Sequence, residues 1–215
     1  LNLRVYQNEE EAKKELRDGL YDPFMLDIAK NYLMSCEKDA ILFTNGDNDT
    51  YPLHYVQEQF GFRKDVLIVN KTLLGLTRHI NSYKEKINEA IPMPSSIDYP
   101  HNEYLQVRIQ GKRELECINA IKEIKDKNEC AENITLPINT NSIPVKDLIE
   151  WKDKDILSTL NFNIKSSNIY QNEIALLDVL ANFNWERPLY FINARQNLNN
   201  FSGMMDYVQI EGAIS

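Results

Sequence analysis

The residues best placed to do chemistry are two aspartates flanking an asparagine, Asp47-Asn48-Asp49, in the stretch "AILFTNGDNDTYPLHYVQE" from Ala40 to Glu58. They follow an apolar run and the pair Asn45-Gly46. Carboxylate oxygens suit hard cations such as Ca²⁺ and Mg²⁺, and ligands of open α/β sheets bind beyond the carboxyl ends of the strands. A structural reading competes. Asn-Gly is a turn pair, Asp49 or Thr50 can cap a following helix, and Pro52 fits the first turn of one. A calcium loop of the EF-hand kind needs further acidic positions and a glycine at its sixth place, where this sequence has Pro52. Turn and cap is therefore the favoured reading. A divalent cation on Asp47 and Asp49 is the alternative, and no other cofactor is expected. A phosphate cradle is disfavoured, because Gly46 stands alone and the aspartates would repel an anion at a helix N-terminus.

Asp-x-Asp also resembles the metal and nucleotide-sugar motif of some glycosyltransferases, although three residues specify little. The remaining candidates are scattered. His54, His79 and His101 have no ligand spacing with one another, and no GxSxG is present, so a hydrolytic triad has little support. Cys36, Cys117 and Cys130 are odd in number and lack CxxC spacing, which argues against zinc and against a disulfide framework. One pair could bridge in an oxidising compartment. In "NWERPLYF", Arg187 and Pro188 stand directly before an apolar run; Arg187 is expected to pair with Asp47, Asp49 or Glu211, with an anion clamp as the lesser reading. The binding rim drawn from these residues is Asn45, Asp47, Asn48, Asp49, Thr50, His54, Arg187 and Glu211, and no residue is assigned a catalytic role.

Composition bounds the partners. The chain has 215 residues, 43% hydrophobic and 26% charged, with a formal net charge of -8. It can bury a real core, and its charge argues against nucleic acid or anionic lipid as a main partner. No run approaches the ~18 apolar residues of a membrane span, so this segment is not expected to insert in a membrane. The opening "LNLRVYQNEEEAKKELRDG" carries no signal-peptide pattern. Together with the ending "DYVQIEGAIS", it reads as the edge of a piece excised from a longer protein.

These residues need elements to hold them. Residues 8–18 are charged, helical or frayed. Met25, Ile28, Ala29, Tyr32, Leu33 and Cys36 recur at helical spacing and predict a helix from about Pro23 to Glu37, capped by Asp22. Ala40–Thr44 and Val66–Val69 read as buried strands, each feeding a helix: the first marked by Leu53, Val56 and Phe60, the second running from Leu73 to Ile87. Such β-α-β units close into a parallel sheet covered on both faces. Tyr104–Gln110 alternates as a half-exposed strand would. Lys112–Lys127 reads as a charged amphipathic helix, and 128–144 as a loop or an excursion of the sheet. Ile174, Leu177, Leu180 and Ala181 mark a late helix, and Leu189–Ile192 a third buried strand. The expected fold is one α/β domain over 1–215, a mostly parallel, Rossmann-like three-layer sandwich. A peripheral lead-in covers 1–20 and a less regular insertion 92–165.

Taken in order, "NYLMSC", "AILFTNGDNDTYPLHYVQE", "DVLIVNKTLL", "ALLDVLANFNWERPLYF" and "GMMDYVQIEG" resemble the C-terminal soluble part of a family of large bacterial membrane proteins. That family is of unknown function and related to protein O-mannosyltransferases. Its usual pattern runs NGDNDT-[FY]-P-L-W-Y, D-V-x-V-x-N, W-x-R-P-I-Y-F and G-L-x-x-Y-L-Q-L-E-G. His54 stands where the pattern has tryptophan, which removes an aromatic stacking surface for a sugar or lipid. The resemblance implies a multi-spanning membrane half that transfers sugar from a lipid-phosphate donor and holds the catalytic carboxylate. The present segment would be an accessory domain on the periplasmic side, not catalytic alone. Its partners would be the membrane half of the same polypeptide and a protein or glycan acceptor. A cation-dependent binding or hydrolytic domain and a protein-interaction module are the alternatives.

Overall fold

The computed structural model describes residues 9–86, 105–138, 157–182, 187–210 and 212–214. Its centre is a three-stranded parallel sheet in the order β2-β1-β9, built from β1 (Ile41–Thr44), β2 (Leu67–Asn70) and β9 (Leu189–Phe191). The register pairs Ile41 with Leu67 and Leu189, and Phe43 with Val69 and Phe191. All four β1 residues are buried, as a strand covered on both faces must be.

Alternation along the strands sends successive side chains to opposite faces. Leu42, Ile68 and Tyr190 pack on one side with Leu33 and Ala29 of α2 (Pro23–Ser35) and Leu53 and Val56 of α3 (Asp47–Phe60). Ile41, Phe43, Val69 and Phe191 pack on the other, against α4 (Thr77–Lys86), α5 (Cys117–Lys127) and α6 (Gln171–Asn182). The short α1 (Glu9–Glu15) precedes them. Helix α2 begins as expected, with Pro23 in its first turn and the Asp22 carboxylate accepting from Met25 N at 3.0 Å.

The α/β class is what the sequence predicts, but the architecture is not strictly Rossmann-like. Two mixed sheets stand beside the parallel one. The first, β10-β7-β6-β4, comprises β4 (Glu114–Glu116), β6 (Asn133–Pro137), β7 (Thr159–Ile164) and β10 (Phe201–Ser202). The second, β5-β3-β8, comprises β3 (Gln106–Ile109), β5 (Glu129–Cys130) and β8 (Asn168–Tyr170). Mixed sheets can leave one face to water, and β7 shows the pattern: Leu160, Phe162 and Ile164 are buried while the residues between them are not.

Two predicted helices are shorter than expected. Residues 114–116 pair with β6, so Leu115 belongs to a strand and the helix starts only at Cys117. The helix after β2 is interrupted: a 3-10 turn at Thr72–Gly75 ends in the extended backbone of Leu76, and α4 begins at Thr77. Ile87, His101 and the proline-rich run 92–100 lie outside the described residues.

Candidate functional site

The carboxyl edge of the parallel sheet gathers polar side chains from all three strand ends. Beyond β1, the chain turns at Gly46, whose φ of 89° and ψ of 178° fall in a region that side chains avoid. This single glycine turns the strand straight into α3. Gly46 is the N-cap and the helix starts at Asp47, so the expected capping by Asp49 or Thr50 does not occur: both lie inside the first turn. The Thr50 hydroxyl instead donates back to the Gly46 carbonyl at 2.6 Å and lies 2.6 Å from the Thr44 hydroxyl. The Asp49 carboxylate accepts from the Asn45 backbone N–H, while burial raises its pKa. Pro52 sits one turn further in than expected and removes the intrahelical donor that the Asn48 carbonyl would otherwise have.

Asp47 and Asn48 are exposed, Asp49 and His54 half-buried. Helical geometry sets Asp47 and Asp49 about 200° apart around the axis, so they do not face each other across one ion. Among the described residues no group of three or more His, Cys, Asp or Glu could hold a metal. Tyr21 completes this side of the rim. Its hydroxyl pKa is raised, first by burial and then by the charge of Asp47, and its ring packs edge-on against Tyr55 at 5.2 Å.

Four residues that sequence reasoning did not single out stand at the same edge. Asn70 ends β2 beside Thr44; it is 0% exposed, its Oδ1 accepts from Leu73 N at 3.3 Å, and its Nδ2 is buried with no hydrogen-bond partner among the described residues. Lys71 follows. Its backbone N–H donates to Thr44 O at 2.9 Å. Its side chain, 5% exposed, reaches across the end of β1 to the backbone carbonyl of Asn197, in α7 (Ala194–Asn197) beyond β9. Burial lowers the Lys71 pKa and the charge of Glu173 opposes that shift. Asn197 is 0% exposed, and its Oδ1 is buried without a partner among the described residues. Thr72 closes the edge by donating to Asn45 Oδ1 at 2.9 Å.

Arg187 is not part of this rim. It precedes β9 and therefore sits at the amino edge, where its Nε donates to Asp39 O at 2.5 Å and its Nη2 to Ala40 O at 3.4 Å. The length of β1 lies between it and Asp47 or Asp49, so the expected pairing with them is not made. Glu211, the third expected partner, lies outside the described residues. The same amino edge carries Arg63, whose guanidinium donates to the carbonyls of Leu33, Cys36 and Glu37 at 2.8–2.9 Å and grips Asp65 through two nitrogens. That grip holds the Asp65 carboxyl down at about 2.

The three cysteines are buried and unbridged. Burial pushes the thiols up, Cys36 and Cys130 to about 12 and Cys117 further still, which leaves them inert at neutral pH.

A family model described as TMEM260-associated domain 2 matches residues 25–215. The chain belongs to that family. The TMEM260-associated domain 2 match takes in both edges of the parallel sheet and every residue of the predicted rim. It agrees with the ordered sequence blocks in pointing to one domain of a membrane-protein family. Comparison with curated proteins and with solved structures returned no match. Among the described residues, no helix is long and apolar enough to cross a membrane.

Proposed function

We propose that this chain is an accessory domain of a TMEM260-like membrane protein related to O-mannosyltransferases, held on the extracytoplasmic side and not catalytic by itself. The observation that carries the reading is the family match over residues 25–215 to a domain defined by its association with TMEM260. Support comes from the described residues of the rim, which offer hydrogen-bonding groups but no nucleophile set beside a base. The carboxyl edge of β2-β1-β9 is the face turned to an acceptor, and the membrane half of the same polypeptide supplies the chemistry.

The test compares three preparations with a lipid-linked sugar donor: the parent protein, the parent lacking residues 25–215, and this chain alone. Transfer is expected from the parent, reduced transfer from the deletion, and none from the chain. Sugar transfer by the chain alone would falsify the accessory reading. A reporter fused after residue 215 of the parent checks the side of the membrane; a cytoplasmic signal would refute the placement.

A further inference from the structure

The carboxyl edge holds a buried cation whose hydrogen-bonding capacity is mostly unused among the described residues. An ammonium has three N–H donors, and the described residues give Lys71 Nζ one acceptor, the Asn197 carbonyl. The side chain of that same Asn197 buries Oδ1 without a partner among the described residues. Glu173, 8% exposed in the first turn of α6, accepts from Tyr170 N at 3.0 Å and acts on Lys71 through its charge. Native proteins keep few buried polar atoms without a partner, so each one calls for an explanation. On the α3 side of the same edge, Asn70 Nδ2 is a further buried donor without a partner among the described residues.

What completes this arrangement must accept from Lys71 and donate to Asn197 Oδ1. An anion fits poorly, because it would meet Asn197 Oδ1, the Glu173 carboxylate and the aspartates of the rim. A metal cation would meet the Lys71 ammonium. A hydroxyl both donates and accepts and carries no charge. We propose that the carboxyl edge binds a neutral, hydroxyl-bearing ligand of the sugar or polyol class, one hydroxyl of which sits between Lys71 Nζ and Asn197 Oδ1. Asn45, half-buried beside Thr72, and the exposed start of α3 then offer polar groups to its remaining hydroxyls. This deepens the proposed acceptor role and rests on that reading for the ligand being a glycan. Its test uses the chain alone, so its failure is distinct from that of the accessory reading, which is judged on the parent.

The experiment titrates the chain with methyl mannoside, methyl glucoside, methyl galactoside, glycerol, inorganic phosphate and Mg²⁺, read by calorimetry and by saturation-transfer NMR. Saturable binding of at least one glycoside is expected, with no saturable binding of phosphate or Mg²⁺. Lys71→Met and Asn197→Leu should each weaken the glycoside by about tenfold or more, the loss of one hydrogen bond to a buried polar or charged group. Arg187→Lys, at the opposite edge, should leave the affinity unchanged. Should either edge variant fail to fold, lysine-selective ¹⁵N labelling of the wild type provides the readout: the Lys71 ammonium signal must move on glycoside addition. Three results overturn the proposal: no saturation by any glycoside or by glycerol, as for a buried water alone; phosphate or Mg²⁺ as the saturating ligand; or variants that bind as the wild type does.

Discussion

The two ends of the parallel sheet use charge in opposite ways. At the amino edge, Arg63 turns its five-donor fork on three backbone carbonyls and a carboxylate, and Asp65 accepts in addition from Asp39 N at 3.1 Å. Arg187 adds donors to the carbonyls of Asp39 and Ala40. These groups fasten the C-terminus of α2 and the starts of β1 and β9 together. At the carboxyl edge, Asp47 and Asn48 face water, Lys71 has one acceptor, and Asn70 and Asn197 each bury an atom without a partner among the described residues. Among the described residues, one edge is saturated by the fold and the other is not. A protein that needed charge only for stability would have no reason to keep the second edge in that state, which is why the binding site is sought there.

The contrast can be broken by substitution. The largest effect is expected from Arg63→Ala, which strips carbonyl and carboxylate partners at once and should cost about 3 kcal/mol in urea unfolding. A loss below about 1 kcal/mol would mean that the amino edge is not the clamp described. Next comes Gly46→Ala. There is open space around the added methyl group, so the penalty is conformational, from φ 89° and ψ 178°, and about 1–3 kcal/mol is expected.

Acid titration separates the edges by sign. The Asp65 pKa is depressed to about 2, so its contribution is complete above the unfolded value near 4 and is lost as pH falls from there toward 2. Because the pair is partly solvated, about 1 kcal/mol is at stake. Asp49 runs the other way. Its pKa is raised by burial, so its ionised form opposes folding, and protonation on acidification relieves that. Asp65→Asn should flatten the acid loss, whereas Asp49→Asn should cost no stability at neutral pH; equal effects of the two would erase the distinction. The smallest change is expected from Lys71→Met. It removes a buried cation with little local support, so the midpoint should move by less than about 1 kcal/mol. A collapse comparable to Arg63→Ala would make Lys71 a structural pin instead.

Much of the central fold was legible. Ile41–Thr44, Leu67–Asn70 and Leu189–Phe191 announce themselves as short apolar runs, and the helical spacing of α2, α3 and α6 is clear. The mixed sheets were harder. β7 does alternate, but asparagines occupy its exposed positions, and asparagine is depleted in strands. Its partners, β6 and β10, lie far away along the chain. For the site, Asp47-Asn48-Asp49 was visible because it is local. Lys71 was not: it reads as a polar residue after a strand, and only tertiary structure reveals its burial and its reach to a residue 126 positions later. The placement of Arg187 was within reach of sequence reasoning. Parallel strands put whatever precedes β9 at the end opposite to whatever follows β1, so an ion pair between Arg187 and Asp47 conflicts with the topology itself.

The strand order β2-β1-β9 also sets a timetable. The β1-α3-β2 unit can assemble as soon as residue 70 is available, but β1 meets its other neighbour only through bonds such as Arg187 to Asp39, 148 positions apart. Until then the central strand has an open edge, the kind of surface that recruits foreign strands. Pairing over such separations is slow. During synthesis, the interval between emergence of Thr44 and of Leu189 is therefore when this chain is most exposed to misassembly, and a chaperone acting on it would be needed at that stage rather than after release.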